Sequence, residues 1–392
     1  MWKQSRMLWV SVVIAAVMAG CGGSSSSEYS DGIGDGDSSI EDINDSNDSN
    51  GEMNASAYFE TRKAAALGGL RVYFGNLHSH SDASDGEGEP SEILSWARYD
   101  AGYDFYAMTD HAEMVSSSEW DKIGAWTDGL NEDGKFVAMR GFEWSHSLAG
   151  HICVYGTGTY TNAILTPTLG LFYLWLDNND GLAQFNHPGR EVEVFRDFSY
   201  DESVADNIFA VETGNKGSGN NDGEYYAYFD DALAAGWHLA PTNNQDNHSM
   251  TTNTHRTAII APSLTRAGLL QAMRDRRLYS TDDPNMEVIF KSGEIWMGDT
   301  VVVEDNRIDF TVIVDDDEPI TKIQLIGDGD TLIGEYVVSG DDDPYHLIWE
   351  PSFNNVAGLS YMFVRVFESN RLDDDLEEQI AVSAPIRFRQ AE

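Results

Sequence analysis

The chain is short of three things, and each shortage removes a class of protein. Two cysteines, Cys21 and Cys153, are the whole supply in 392 residues. Cys21 falls in the amino-terminal leader and Cys153 in the apolar run 152–155, so no disulfide framework holds the mature chain. Cys153 reads instead as a small buried hydrophobe. Basic residues are scarce: 24 Lys and Arg stand against 66 Asp and Glu, for a formal net charge of -42. Such a chain repels a nucleic-acid backbone, and acid scattered over surface and linker reads as solvation. Long apolar runs are missing as well, because the run at residues 7–17 is too short to span a bilayer as a stable helix. What is present, 41% hydrophobic and 11% aromatic residues, is the composition of a folded protein.

Lys3 and Arg6 precede the apolar run 7–17, the order of a signal peptide. Its end, Met18-Ala19-Gly20-Cys21, resembles the lipobox of bacterial lipoproteins, with Met18 where leucine is usual. The resemblance implies export to the cell envelope and a membrane partner reached through a lipid anchor on Cys21. Residues 22–55 are mostly Gly, Ser, Asp, Asn and Glu, too poor in apolar surface to fold. The expected division is a leader at 1–21, a disordered linker at 22–55, a catalytic domain at 56–283 and a smaller domain at 284–392. Beyond the linker about 335 residues remain, enough for one large domain and one small one.

From residue 56 to 283 strand-like apolar runs alternate with helical patterns, which predicts an α/β fold with a mostly parallel sheet or barrel. Strands are expected at 70–74, 105–108, 136–139, 151–155, 182–185, 208–211 and 237–240, with helices from Pro90 to Gly102 and over 224–235. His78 and His80 follow the first strand, and side chains two apart on an extended chain point the same way. The turn-forming residues 81–86 loop Asp85 back over the same opening. The later strands end in Asp110-His111, Glu143, His187, Glu212 and Asp246-Asn247-His248, and His151 opens its own strand. Six of the ten histidines, His78, His80, His111, His151, His187 and His248, occupy such junctions. In barrel enzymes the catalytic groups sit at strand carboxyl ends. Of the other histidines, His146 reads as a solvated loop residue and His238 as a core histidine with its hydrogen bonds met.

The ordered segments HSHSDASDG, MTDHAE, GFEWS, AGHICVYG, NHPG and QDNH resemble the motifs of the PHP (polymerase and histidinol phosphatase) superfamily of metal-dependent hydrolases. The resemblance covers residues 70–283. Arg256-Thr257 followed by Leu269, Ala272, Arg277 and Tyr279 looks like the carbaryl hydrolase branch. It implies a distorted (β/α)7 barrel around two to three divalent ions, Zn, Mn or Fe. Carried over by motif, the first ion takes His78, His80, Glu143 and Asp246, and the second takes Glu143, His151 and His187. The third takes Asp85, His111 and His248, although Asp85 stands where some relatives carry histidine. Asp110 and Glu212 are read as groups that orient ligands.

Such a cluster implies hydrolysis of a small-molecule substrate with a metal-activated water. Phosphoester hydrolysis is the first reading, ester, amide or carbamate hydrolysis the second, and an inactive surface binding module the third. A transferring phosphoryl group requires cations beyond the metals. Arg190, directly after His187-Pro188-Gly189, is the first candidate, and His255 and Arg256 are the second. Past residue 283, short alternating runs separated by Gly, Asp and Asn predict a small β-sandwich. Its Asp315-Asp316-Asp317 and Asp341-Asp342-Asp343 turns could bind calcium, but solvated turns are the first reading, because the spacing of a calcium loop is absent.

Overall fold

A computed structural model describes residues 55–216, 225–303, 307–354, 356, 358–369 and 377–390. The expected leader and nearly all of the linker lie outside them. Contacts group the chain into Met1–Glu52 and Met53–Glu392, and every described residue belongs to the second unit.

Nine strands position the site: β1 (Arg71–Asn76), β2 (Phe105–Met108), β3 (Val137–His146), β4 (Gly150–Tyr155), β5 (Leu182–Asn186), β6 (Ile208–Asn215), β7 (Ala240–Asn244), β8 (Arg256–Ala261) and β9 (Leu278–Thr281). They lie side by side in the order β9-β8-β1-β2-β3-β4-β5-β6-β7. The pairs β1–β2, β2–β3, β5–β6 and β6–β7 are parallel, while β8–β1, β8–β9, β3–β4 and β4–β5 are antiparallel. The sheet is therefore mixed rather than mostly parallel. Only residues 147–149 separate β3 from β4, too few for the crossover that a parallel pair requires. His146 stabilises that tight turn, its Nδ1 accepting from Leu148 N at 3.2 Å and Ala149 N at 3.0 Å. It is a turn cap stacked on Trp144, not a solvated loop residue.

Helices fill the parallel crossovers, and their starts are written locally. Pro90 opens Pro90–Tyr99, and Ser116 caps Ser117–Leu130 in a reciprocal box with Glu119. Ile93, Leu94 and Ala97 form the buried stripe of the first of these helices. Strands β2, β5, β6, β7 and β8 are buried along their whole length, as expected for strands covered on both faces. Strand β7 begins where the expected strand 237–240 ends, since Trp237 N bonds back to Ala232 O of the preceding helix at 3.2 Å and its indole Nε1 donates to Phe198 O at 2.7 Å. Hydrogen bonds of its last two residues close the ring of strands. Asn244 Oδ1 accepts from Leu77 N at 2.8 Å, and Thr257 Oγ1 accepts from Asn243 N at 3.1 Å, which brings β7 back against β1 and β8.

Some of the strands after residue 283 extend the same sheet. Glu377–Ser383 pairs with β9, and Tyr361–Ser369 pairs in turn with Glu377–Ser383. A second, four-stranded sheet is built from Ile295–Trp296, Glu287–Ser292, Thr311–Asp315 and His346–Trp349. Residues of both, among them Ile289, Val312, Leu325 and Val364, share one apolar cluster with β8 and β9. Burial there, at roughly 25 cal/mol per Å² of apolar surface, supplies most of the drive to join them.

His238 departs from its expected role, because its Nε2 is buried with no hydrogen-bond partner. Burial, with Arg276 and Arg387 nearby, pushes its pKa down to about 2 from 6.5. A histidine held neutral in the fold keeps its contribution to stability above the unfolded pKa, and that contribution is lost as pH falls through 6.5 toward 2. His238→Leu should therefore flatten the loss of stability on acidification. Urea midpoints for both proteins between about pH 7 and pH 4 measure this, and parallel slopes would remove His238 from the account.

Candidate metal centre

The site begins where β1 ends. His78 and His80 are buried on either side of Ser79, with their Nε2 atoms 3.2 Å apart. Backbone and hydroxyl bonds fix this stretch: His80 N donates to Asn247 O at 2.8 Å and Ser79 Oγ to Ala107 O at 2.7 Å. The following loop closes on itself through Gly86 N to Ser81 O at 2.9 Å. Gly86 is required there, because a Cβ would meet His80 O at 2.5 Å. Asp110 holds the same loop, accepting from Ser81 N and Ser84 Oγ, each at 2.7 Å. The result carries Asp85 to within 3.7 Å of His80, 3.6 Å of His111 and 3.3 Å of His248.

Glu143 is the centre of the arrangement. Its carboxylate is fully buried on β3, and its residue is bridged to His111 beyond the end of β2. Oε1 lies 3.1 Å from His78 Nε2, 3.4 Å from His151 Nδ1 and 3.5 Å from His187 Nε2, and accepts from Asn186 Nδ2 at 2.6 Å. Oε2 lies 2.7 Å from His111 Nδ1 and 3.8 Å from His80 Nε2. Asp246 faces the same space: Oδ1 is 3.1 Å from His80 Nε2 and 3.5 Å from both His78 Nε2 and His248 Nδ1. His187 and Asp246, at the ends of β5 and β7, both adopt positive φ, 26° and 45°. Two non-glycine residues in that sparsely populated region at one opening carry strain that the packed strand ends maintain.

Behind the ring stands Glu212 on β6. Its Oε1 takes His78 Nδ1 at 2.9 Å and its Oε2 takes His187 N at 2.8 Å, with Gln184, Asn215 and Asn244 completing its bonds. Donation from Nδ1 to Glu212 leaves the His78 Nε2 lone pair aimed at Glu143 and Asp246, the tautomer that a ligand must have. His248 is set likewise, its Nδ1 lying 2.7 Å from Asp246 O while Nε2 faces Asp85.

The charge pattern matches this geometry. Burial pulls the His78 pKa down, but Cys153, Asp246, Glu212 and Glu143 around it outweigh that and raise it well above the usual value. Burial likewise opposes ionisation of Glu143, yet His78, His151 and His111 hold its pKa well below the carboxylate range. Asp246 is depressed in the same way by His78 and His80 against its burial. His80 goes the other way, its burial prevailing over the carboxylates. Nδ1 of His80, His151 and His187 are buried without hydrogen-bond partners, and buried polar atoms left so call for a missing partner. Imidazole and carboxylate donors in sets of three and four, each set within 4.8 Å, fit first-row divalent ions.

All nine residues expected as ligands converge here. Donor sets that among them hold all nine are His80, Asp85, His111 and His248; His111, Glu143 and His151; and His78, His187 and Asp246. Sequence reasoning passed over Glu191, which groups with His151 and His187 at 3.6 Å and 4.0 Å. Its signal was a carboxylate four residues after His187. Lys216 was also missed: Nζ lies 3.2 Å from Asp246 Oδ2, beside Arg190 Nη1 at 3.0 Å. Arg190 is further held by Tyr225 Oη at 2.9 Å and Asn215 Oδ1 at 2.7 Å, so it pairs with Asp246 rather than with Glu191 or Glu193. Cys153 is buried, but its thiol lies among donor atoms of His78 and Glu143 and accepts from Asn186 Nδ2 at 3.1 Å. His255 and Arg256 are engaged elsewhere. His255 Nδ1 lies 3.3 Å from Asn243 Oδ1 and 3.4 Å from Asp282 Oδ1, and Arg256 bonds Asn253 O at 2.8 Å over the Tyr103 ring. No contact among the described residues joins either to the nine.

No family model matches the chain, and no curated protein matches it. Solved structures similar to it include the following two. One is a two-domain protein containing a predicted PHP-like metal-dependent phosphoesterase from Bacteroides vulgatus ATCC 8482, with 15% identity and a TM-score of 0.47, covering 80% of this chain and 96% of that one. The other is PsfC from Pseudomonas syringae PB-5123, with 16% identity and a TM-score of 0.39, covering 52% and 87%.

Replacing Glu212 with Gln removes the charge that orients His78 without touching the facing donors, and should weaken metal binding about 10- to 100-fold. Competition with a chelator measures it. In the parent, affinity should also fall as pH falls, because the raised His78 pKa means that protons hold the nitrogen a metal must take. A Glu212→Gln protein with parental affinity would show that Glu212 serves packing alone.

Proposed function

We propose that this chain is a metal-dependent hydrolase of the PHP type, acting on phosphoesters. The observation that carries the reading is the convergence of nine His, Asp and Glu side chains from separate strand ends on one opening, with Glu143 among five imidazoles. A site that only holds a fold together is usually a closed cage of four ligands. When bound, divalent ions of this kind supply Lewis acidity and a water acidified toward neutral pH. Two or three ions, Zn, Mn or Fe, suit the donors, and the (β/α)7 barrel with a C-terminal β-sandwich is the architecture that goes with the motifs. An inactive binding module is the less favoured reading, because the donor set is whole.

The remaining work falls to the chain's own residues. His78, His80 and Asp246 fix one side of the opening, His151 and His187 another, and Asp85, His111 and His248 the third. Arg190 and Lys216 meet at Asp246 Oδ2, and this pair favours phosphate in a chain otherwise so acidic. Both are partly exposed, so a substrate phosphoryl oxygen can accept hydrogen bonds from their free N–H groups as charge spreads in the transition state. A carbamate or neutral ester develops less charge for them to meet, and that second reading rests on the softer resemblance to the carbaryl hydrolase branch.

His78→Ala should abolish hydrolysis and lower bound metal while the far-UV spectrum stays parental. Arg190→Ala should cost roughly 2 to 4 kcal/mol in kcat/KM on a phosphoester, the scale of losing one oxyanion donor, and much less on a carbamate. Equal small losses on both, with the parent preferring the carbamate, would overturn the phosphoester assignment.

The reading includes an exported protein held at a membrane by a lipid on Cys21, supported by the leader and lipobox pattern. Cys21→Ser should then release the protein from the membrane fraction, since acylation uses the thiol. Retention of that variant would point to an uncleaved leader or a protein partner.

A further inference from the structure

Away from the histidine centre, the described residues hold a second concentration of buried carboxylates. Asp282 and Asp283 directly follow β9, Asp316 follows the strand Thr311–Asp315, and Glu368 lies on Tyr361–Ser369. Their exposures are 8%, 8%, 5% and 7%. Asp316 is thus not part of a solvated turn, whereas in the other acidic run Asp341 and Asp343 are exposed and Asp342, only half-buried, accepts from Tyr336 Oη at 2.7 Å.

Some of these oxygens are provided for. Asp283 Oδ1 accepts from Asn285 N at 2.7 Å and Met286 N at 2.8 Å. Asp316 Oδ1 accepts from Asp317 N at 2.9 Å and Asn285 Nδ2 at 3.3 Å. Asp316 Oδ2 and Glu368 Oε1 are different: both are buried and neither has a hydrogen-bond partner. The two carboxyl groups lie within hydrogen-bonding reach of each other, with Asp283 acting on both and Asp282 on Glu368. Acceptor atoms facing acceptor atoms, out of contact with water, repel unless a proton or a cation sits between them.

We propose that Asp283, Asp316 and Glu368 bind a structural divalent cation of the calcium class where β9 meets the C-terminal strands. The donors are all oxygen, with neither imidazole nor thiol, which suits a hard ion and not zinc. They come from three separate stretches, so one ion ties the last strand of the catalytic sheet to two strands of the C-terminal region. Exposed Asn285 and Asp317 flank the cluster, which gives the ion a short path from solvent. In the absence of a cation, burial and the neighbouring carboxylates push the Asp316 and Glu368 pKa values upward, and a bound cation removes that penalty.

The test uses the full protein with its histidine centre loaded with zinc. Equilibrium dialysis against calcium should find one further ion, and calcium at about a hundred times its Kd should raise the Tm by roughly 5 °C. Glu368→Gln and Asp316→Asn should lose the calcium response and keep the zinc content, whereas Asp246→Ala should keep the calcium response. Absence of calcium uptake and of any thermal shift in the parent would overturn the proposal and leave a carboxyl pair sharing a proton. Parental dialysis decides the matter even where a variant fails to fold.

Discussion

One buried charge organises this protein. Glu143 is a carboxylate with no access to water, and an ion so placed persists only if positive charge and hydrogen bonds surround it. Strand ends provide those partners: His78 and His80 after β1, His111 after β2, His151 on β4 and His187 after β5. The ring of strands, the tight β3–β4 turn and the closure through Asn243 and Asn244 all serve to hold these ends within a few ångströms of one carboxylate.

Buried acid occurs twice in the chain, and the chemistry differs by the company it keeps. Around Glu143 the neighbours are imidazoles, which share charge with the carboxylates and suit borderline metals. Around Glu368 the neighbours are other carboxylates, which suits only a hard ion or a proton. Most of the net charge of -42 lies outside both clusters, so overall acidity alone identifies neither.

Much of the histidine centre was legible because period and position are local properties. His78 and His80 share a side through the two-residue period of extended chain, and Asp85 returns because residues 81–86 are turn formers with Gly86 where no Cβ fits. What was not legible depends on distant partners. Strand β7 reads Ala-Pro-Thr-Asn-Asn, a poor strand by propensity, and is buried because its amides bond Leu77, Gln184 and Asp282 across the ring. Glu191 and Lys216 enter the centre through loop paths that no periodicity encodes. Asp316 looked like any acidic turn until Glu368, far along the chain, was placed beside it. The antiparallel β3–β4 and β8–β1 pairs were likewise hidden, since apolar runs do not reveal strand direction.

The central claim is that the nine side chains bind catalytic metal, and elemental analysis of the purified protein alongside hydrolysis of chromogenic phosphomonoester, phosphodiester, ester and carbamate substrates tests it most directly. The account predicts at least about two equivalents of Zn, Mn or Fe, with turnover of a phosphoester that chelation removes and the same metal restores. Protein that carries no transition metal, takes none up, and hydrolyses none of the four classes would contradict it.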